Sequence, residues 1–132
     1  MSSRPAATAP FPLVRLLLVA LIAAAVNLAL FGLAVASGAV LEVGGSPISP
    51  VMPPAATFGA IAVAGVITWL VGHASPPLAR IAPWVGLVVA LLTAASPFVV
   101  IGAPAAFWLA PMHVIAAIAW FVAVRPAGAR RV

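Results

Sequence analysis

The stretch RLLLVALIAAAVNLALFGLAVA, Arg15 to Ala36, decides the fold. After its leading arginine it runs 21 residues with one strongly polar side chain, Asn27. A helix needs about 20 predominantly apolar residues to cross a bilayer, so this run reads as a membrane span reaching to about Leu41. Three further runs of this kind follow, at about 55–72, 81–101 and 105–124, the third interrupted by Pro97. Of the 132 residues, 66% are hydrophobic and 5% charged, against about 25% charged in a soluble domain. That excludes a soluble domain, and it excludes disorder, which needs a chain poor in apolar residues. Lipid offers no partner to a backbone amide, so spans of this kind are helices. A membrane barrel needs about eight or more alternating strands, and this chain shows runs. The predicted fold is all-α, an integral membrane four-helix bundle forming one domain over 1–132, with short basic tails at 1–15 and 125–132.

The connections agree with that division. Gly44-Gly45-Ser46-Pro47-Ile48-Ser49-Pro50 and Pro53-Pro54 cannot continue a helix, nor can Ala74-Ser75-Pro76-Pro77, because proline lacks the amide and glycine is too free. Gly102 and Pro104 mark the third turn, and Pro111 should kink the fourth span. A short extended piece is expected around Val40 to Val43. All six arginines fall on one side of this thread: Arg4 and Arg15 before span one, Arg80 between spans two and three, and Arg125, Arg130 and Arg131 after span four. Glu42 lies on the other side. Positive charge stays cytoplasmic, so both termini are expected inside, in the cytoplasmic membrane of a bacterium. The net charge of +5 is then a topology signal, with anionic lipid as a further partner of the tail. Six scattered arginines make no stripe for nucleic acid. Ala34-Val35-Ala36 resembles a signal-peptide cleavage site, but the apolar run before it exceeds the usual 7–15 residues, so a retained span is expected.

The chemical inventory is poor. There is no cysteine, lysine, tyrosine, aspartate or glutamine, and one glutamate. A zinc site fails on ligand count. Counting about 1.5 Å of rise per residue, Asn27 lies 12 residues after Arg15, His113 12 before Arg125 and Thr93 13 after Arg80. All three therefore sit roughly 18–20 Å from the inner boundary. They form one polar layer, with Ser96 within reach, and Asn27 is expected to bond His113 across spans one and four. The plainer reading is structural glue, worth about 0.6 kcal/mol on average; the other is a ligand or proton site, the default for ionisable groups in a span. His73 lies about 18 Å from His113 in depth, too far to share a metal or a haem, and reads as a helix-end residue. A single axial histidine is the one haem arrangement left. Ser96 and Thr93 lack a carboxylate to orient His113 for nucleophilic catalysis, and hydroxyls in spans mostly bond their own backbone.

The four tryptophans, Trp69, Trp84, Trp108 and Trp120, fall near span ends, as an interfacial belt does. Small residues recur four apart at Ala55 and Gly59, Ala60 and Ala64, and Gly86, Ala90 and Ala94, which favours close helix packing. Spans two and four share a faint pattern, Pro-Ala-Ala near the start and Trp-x-Val near the end, which reads as a duplicated hairpin in parallel orientation.

The second half carries a further pattern. Arg80-x3-Trp84 leads an apolar run to Ser96-Pro97, and Met112-His113-Val114 sits in a helix ending at Arg125. Over roughly 80–125 the chain resembles a family of small four-span membrane proteins, mostly actinobacterial, of the domain-of-unknown-function type DUF 6069. The first half agrees in layout alone, and the loop His73-Ala74-Ser75-Pro76-Pro77 is less polar than the family's usual one. The resemblance implies a bundle and weights Trp84, Ser96 and His113. It implies no reaction and no cofactor.

The leading expectation is a non-enzymatic accessory or interaction subunit, whose partner is the bilayer and then another membrane protein or a second copy. It calls for a tightly packed bundle. The alternative is a small transporter or lipophilic-ligand binder with Asn27, Thr93 and His113 around an internal site, and it calls for a cavity there. An enzyme ranks third.

Overall fold

The computed structural model describes residues 13–101 and 103–125. Arg4, Gly102, Arg130 and Arg131 lie outside the described residues. Helix α1 spans Leu13–Ala36, a two-stranded hairpin follows as β1 (Glu42–Val43) and β2 (Ser46–Pro47), and then come α2 (Met52–Ala74), α3 (Pro76–Thr93), the short α4 (Ser96–Val100) and α5 (Ala103–Val124). With α3 and α4 taken as one segment, the chain has four helices long and apolar enough to cross a membrane. Most of their surface is lipid-like: Val14, Leu18, Ile22, Val63, Leu92 and Val99 are all exposed.

Local chemistry sets the ends of these elements. Helix α1 stops at Ala36, short of the expected Leu41, because Gly38 turns left-handed at φ 83°. The Gly38 amide then donates to Val35 O and the Ala39 amide to Ala34 O, which is the Schellman closure. Gly44 and Gly45 also take positive φ, 59° and 79°, the pair of values a tight hairpin turn requires. Glu42 therefore pairs with Pro47, and Val43 with Ser46. Helices α2 and α3 begin earlier than the loop composition implies, since each carries its prolines in the first turn, where a missing amide costs nothing. One consequence is that Arg80 lies within α3 and not in a loop.

The third segment breaks where Pro97 removes an amide. That amide would have met Thr93 O; the Ser96 hydroxyl donates to it instead, at 2.7 Å. Around the break the Ala95 amide reaches only to Leu92 O, a tighter turn that ends α3 and starts α4. Pro83 and Pro111 lie within α3 and α5, and both helices run on through them.

Helices α1, α2, α3 and α5 form a square in which each packs on its sequence neighbours, α1 packs on α5, and α2 touches α5 across the diagonal. Two apolar clusters fill the interior. One, of Leu16, Ala20, Ala23, Ile61, Ala119 and Ala123, lies toward the termini. The other, of Phe31, Ala34, Leu41, Ala105, Leu109 and Met112, lies toward the hairpin. Arg15 in the first turn of α1 donates to Arg125 O at 3.1 Å and to Val122 O. It thereby caps the negative end of α5, an arrangement typically worth about 0.3–1 kcal/mol, and it puts the start of α1 and the end of α5 at the same end of the bundle.

Glycines mark the closest approaches. A Cβ at Gly65 would fall on the Leu16 branch, and one at Gly86 would fall inside the Trp120 indole, whereas one at Gly59 would meet nothing within 4 Å. Trp120 is 7% exposed, so it is a packing residue and not part of a belt. Replacing Gly86 by alanine should lower stability by about 1–3 kcal/mol through overpacking. The Gly59→Ala change should be neutral or stabilising by up to about 1 kcal/mol. Thermal unfolding of both variants in one detergent checks the contrast.

Candidate functional site

Between the two clusters lies a single polar contact. Asn27 is 1% exposed and Thr57 7%. The Asn27 Nδ2 group donates to Thr57 Oγ1 at 2.7 Å and to Met112 O at 3.1 Å. Thr57 passes its own proton to Pro53 O at 2.8 Å. Since Met112 O can only accept, the amide orientation is fixed: nitrogen toward α2 and α5, oxygen away. That oxygen, Asn27 Oδ1, is buried and has no partner among the described residues. An unpaired buried acceptor costs about 1–3 kcal/mol.

The expected Asn27–His113 bond is not made. His113, half-buried one turn beyond Leu109, donates from Nδ1 to Leu109 O at 2.9 Å. A carbonyl only accepts, so the neutral ring holds its proton at Nδ1 and Nε2 is left as an acceptor. Thr93 stands apart from this group: it is exposed, and its hydroxyl donates to Ala90 O at 2.7 Å. Ser96 is also turned to its own backbone. Thr57, which depth counting did not single out, takes the place expected of His113.

What Asn27, His113 and Ser96 do share is a cavity. It measures about 420 Å³ and lies where α2 and α4 both pack on α5. Helix α2 contributes Met52, Pro53, Ala56, Thr57 and Ala60; α4 and its end contribute Ser96, Pro97, Val100 and Ile101; α5 contributes Leu109, Met112, His113 and Ala116. Val43 and Ile48 of the hairpin segment complete the lining. The break at Pro97 matters here, because it hands this wall to a separate short helix. The lining is apolar with a few polar groups, and the volume falls at the small end of the roughly 300–1,000 Å³ typical of ligand pockets.

Other polar groups lie outside this cavity. His73 is exposed, donates from Nδ1 to Trp69 O at 2.8 Å and meets the Trp69 ring edge-on. The Trp120 Nε1 group, buried and unpartnered among the described residues, packs against Gly86. A double-mutant cycle should find Asn27 and Thr57 coupled by about 0.6–1.7 kcal/mol. The Asn27–His113 cycle should give a value near zero; reversible unfolding in bicelles measures both.

No acid is among the residues that line the cavity. No curated protein and no solved structure matches the chain. One family does, from residue 7 to residue 130, covering both apolar clusters, the polar contact and the cavity. Over that range this four-span chain belongs to DUF6069, a family of unknown function.

Proposed function

We propose that the protein is a membrane-embedded binding protein for a small lipophilic molecule, held in the cavity beside Asn27 and His113. The observation that carries this is the cavity of about 420 Å³, apolar over most of its lining and with Asn27, Thr57 and His113 among its walls. The accessory-subunit reading calls for a closed bundle. An opening at the polar layer turns the weight to the ligand-binding alternative. Apolar outer faces fit lipid and protein alike, so they do not favour a partner subunit. Binding without catalysis fits a lining whose hydroxyls are committed to backbone carbonyls.

The bundle sits in the cytoplasmic membrane of a bacterium with its termini inside, the orientation that the arginine distribution supports. Since the chain has no cysteine, single cysteines report this cleanly. Ser46→Cys in the hairpin should react with an impermeant maleimide in intact cells, and Ser75→Cys only after permeabilisation. The opposite pattern would reverse the orientation.

Native mass spectrometry of the protein, extracted gently from its own membrane, tests the binding reading. A retained small molecule is expected on the wild type. Ala60→Phe, which puts a ring at the cavity wall and removes no polar group, should lose it. Retention by that variant, or a bare wild-type protein, would argue against the cavity. A stoichiometric second protein would restore the accessory reading.

A further inference from the structure

We infer that the occupant of the cavity is the hydrocarbon chain of a bilayer lipid, which enters sideways through a slot between α2 and α4. This rests on the binding reading above and names the class of ligand and its route. Burial marks where the cavity opens. On α2, Met52, Ala56 and Ala60 line it and are exposed; on α4, Ser96 and Val100 do the same. Thr57, Leu109 and Met112 line it too and are buried. An exposed lining residue stands at a rim and a buried one at the floor. The rims therefore belong to α2 and α4, and most of the floor to α5. Both rim helices pack on α5, while α2 and α4 form no packed pair with each other.

Depth decides what meets that slot. Ala56 and Ala60 come one and two turns after Met52, roughly 6 and 12 Å along the helix. Helix α2 has 23 residues, enough to cross a hydrocarbon core of about 30 Å, so the slot opens among the lipid tails of the hairpin-side leaflet. Its flanks are apolar as well: Val63 on α2 and Phe98 and Val99 on α4 are exposed. Toward the hairpin the rim continues through Met52 to Val43, also exposed, and so reaches the level of the headgroups. A lipid can keep its head there while one chain turns into the slot. That end of the bundle bears Glu42 and, among the described residues, no arginine or lysine, which favours a zwitterionic head over an anionic one. At about 30 Å³ for a group the size of a water molecule, the volume of about 420 Å³ holds on the order of a dozen methylenes. The polar side chains of the interior ask nothing of such a chain. Both Asn27 Nδ2 hydrogens, the Thr57 proton and the His113 Nδ1 proton already meet oxygens of the protein, and a hydrocarbon brings no polar group of its own to desolvate.

The test places the full-length protein in phosphatidylcholine vesicles that contain a trace of phosphatidylcholine with a photoactivatable diazirine in one chain. After illumination, peptide mass spectrometry maps the labelled residues. A lipid that only surrounds the bundle marks exposed faces such as Leu18 and Leu92 and cannot reach the buried Leu109 and Met112. A mid-chain diazirine should mark Leu109 or Met112. Ala60→Phe, at the rim, should lose those marks and keep the ones on Leu18 and Leu92. Marks confined to the exposed faces of the wild type, or floor marks that survive in the variant, would overturn the inference. If Ala60→Phe does not fold, the position of the probe serves in the wild type. A diazirine beside the ester should mark Met52 or Val43 and leave the floor unmarked, and equal floor marks from both probes would overturn the inference. Native mass spectrometry of the protein from its own membrane separates the two readings. A retained molecule that is not a lipid would overturn the lipid inference and leave the binding reading standing, and a bare protein would overturn both.

Discussion

A polar group inside a bundle that sits in lipid has no water to fall back on. In this chain the constraint bears most on Asn27, the one strongly polar side chain of the first span and almost wholly buried. Its amide nitrogen is answered by Thr57 of α2 and the Met112 carbonyl of α5, so three helices are indexed to each other at one point. Apolar packing alone is permissive about register, since lipid is as apolar as the helices and gives no hydrophobic force for their association. The amide is directional and supplies what packing leaves open.

Around that point the two halves of the bundle differ in grain. Toward the termini the packing is close: alanines of α1 and α5 with Leu16 and Ile61, and Leu16 laid over Gly65. Toward the hairpin the side chains are larger, and the third segment is broken at Pro97. The cavity lies on that looser side, with the polar contact at its edge. Its position follows from where the prolines and glycines stand in the chain, as much as from any single residue lining it.

Sequence made the spans legible because length and apolarity are one-dimensional properties. It misplaced their ends for a definite reason: a proline pair reads as a break, yet in α2 and α3 it forms the first turn. Depth was legible too, and it brought Asn27, Ser96 and His113 to one level. Rotation was not. A span that is apolar on every side has no amphipathic stripe to say which way it faces, so Thr93 matched Asn27 in depth while pointing outward. Thr57, 16 residues before His73 against 12 or 13 for the other pairs, fell outside the count and yet makes the bond. The ligand-binding reading called for a cavity by Asn27 and His113, but its walls, set by four faces at once, could not be read from the sequence.

The Asn27 contacts also bear on the order of synthesis. Thr57 is 30 residues further along the chain and Met112 is 85, while the α5 carbonyls that Arg15 caps lie 107 and 110 residues away. Helix α1 therefore precedes both partners and carries an amide whose second acceptor is made only when α5 is translated. Until α5 arrives, that amide has Thr57 as its partner and one proton still free to grip another chain's backbone. A chain without α5 would leave the Asn27 amide one acceptor short and the Arg15 guanidinium without the carbonyls it caps.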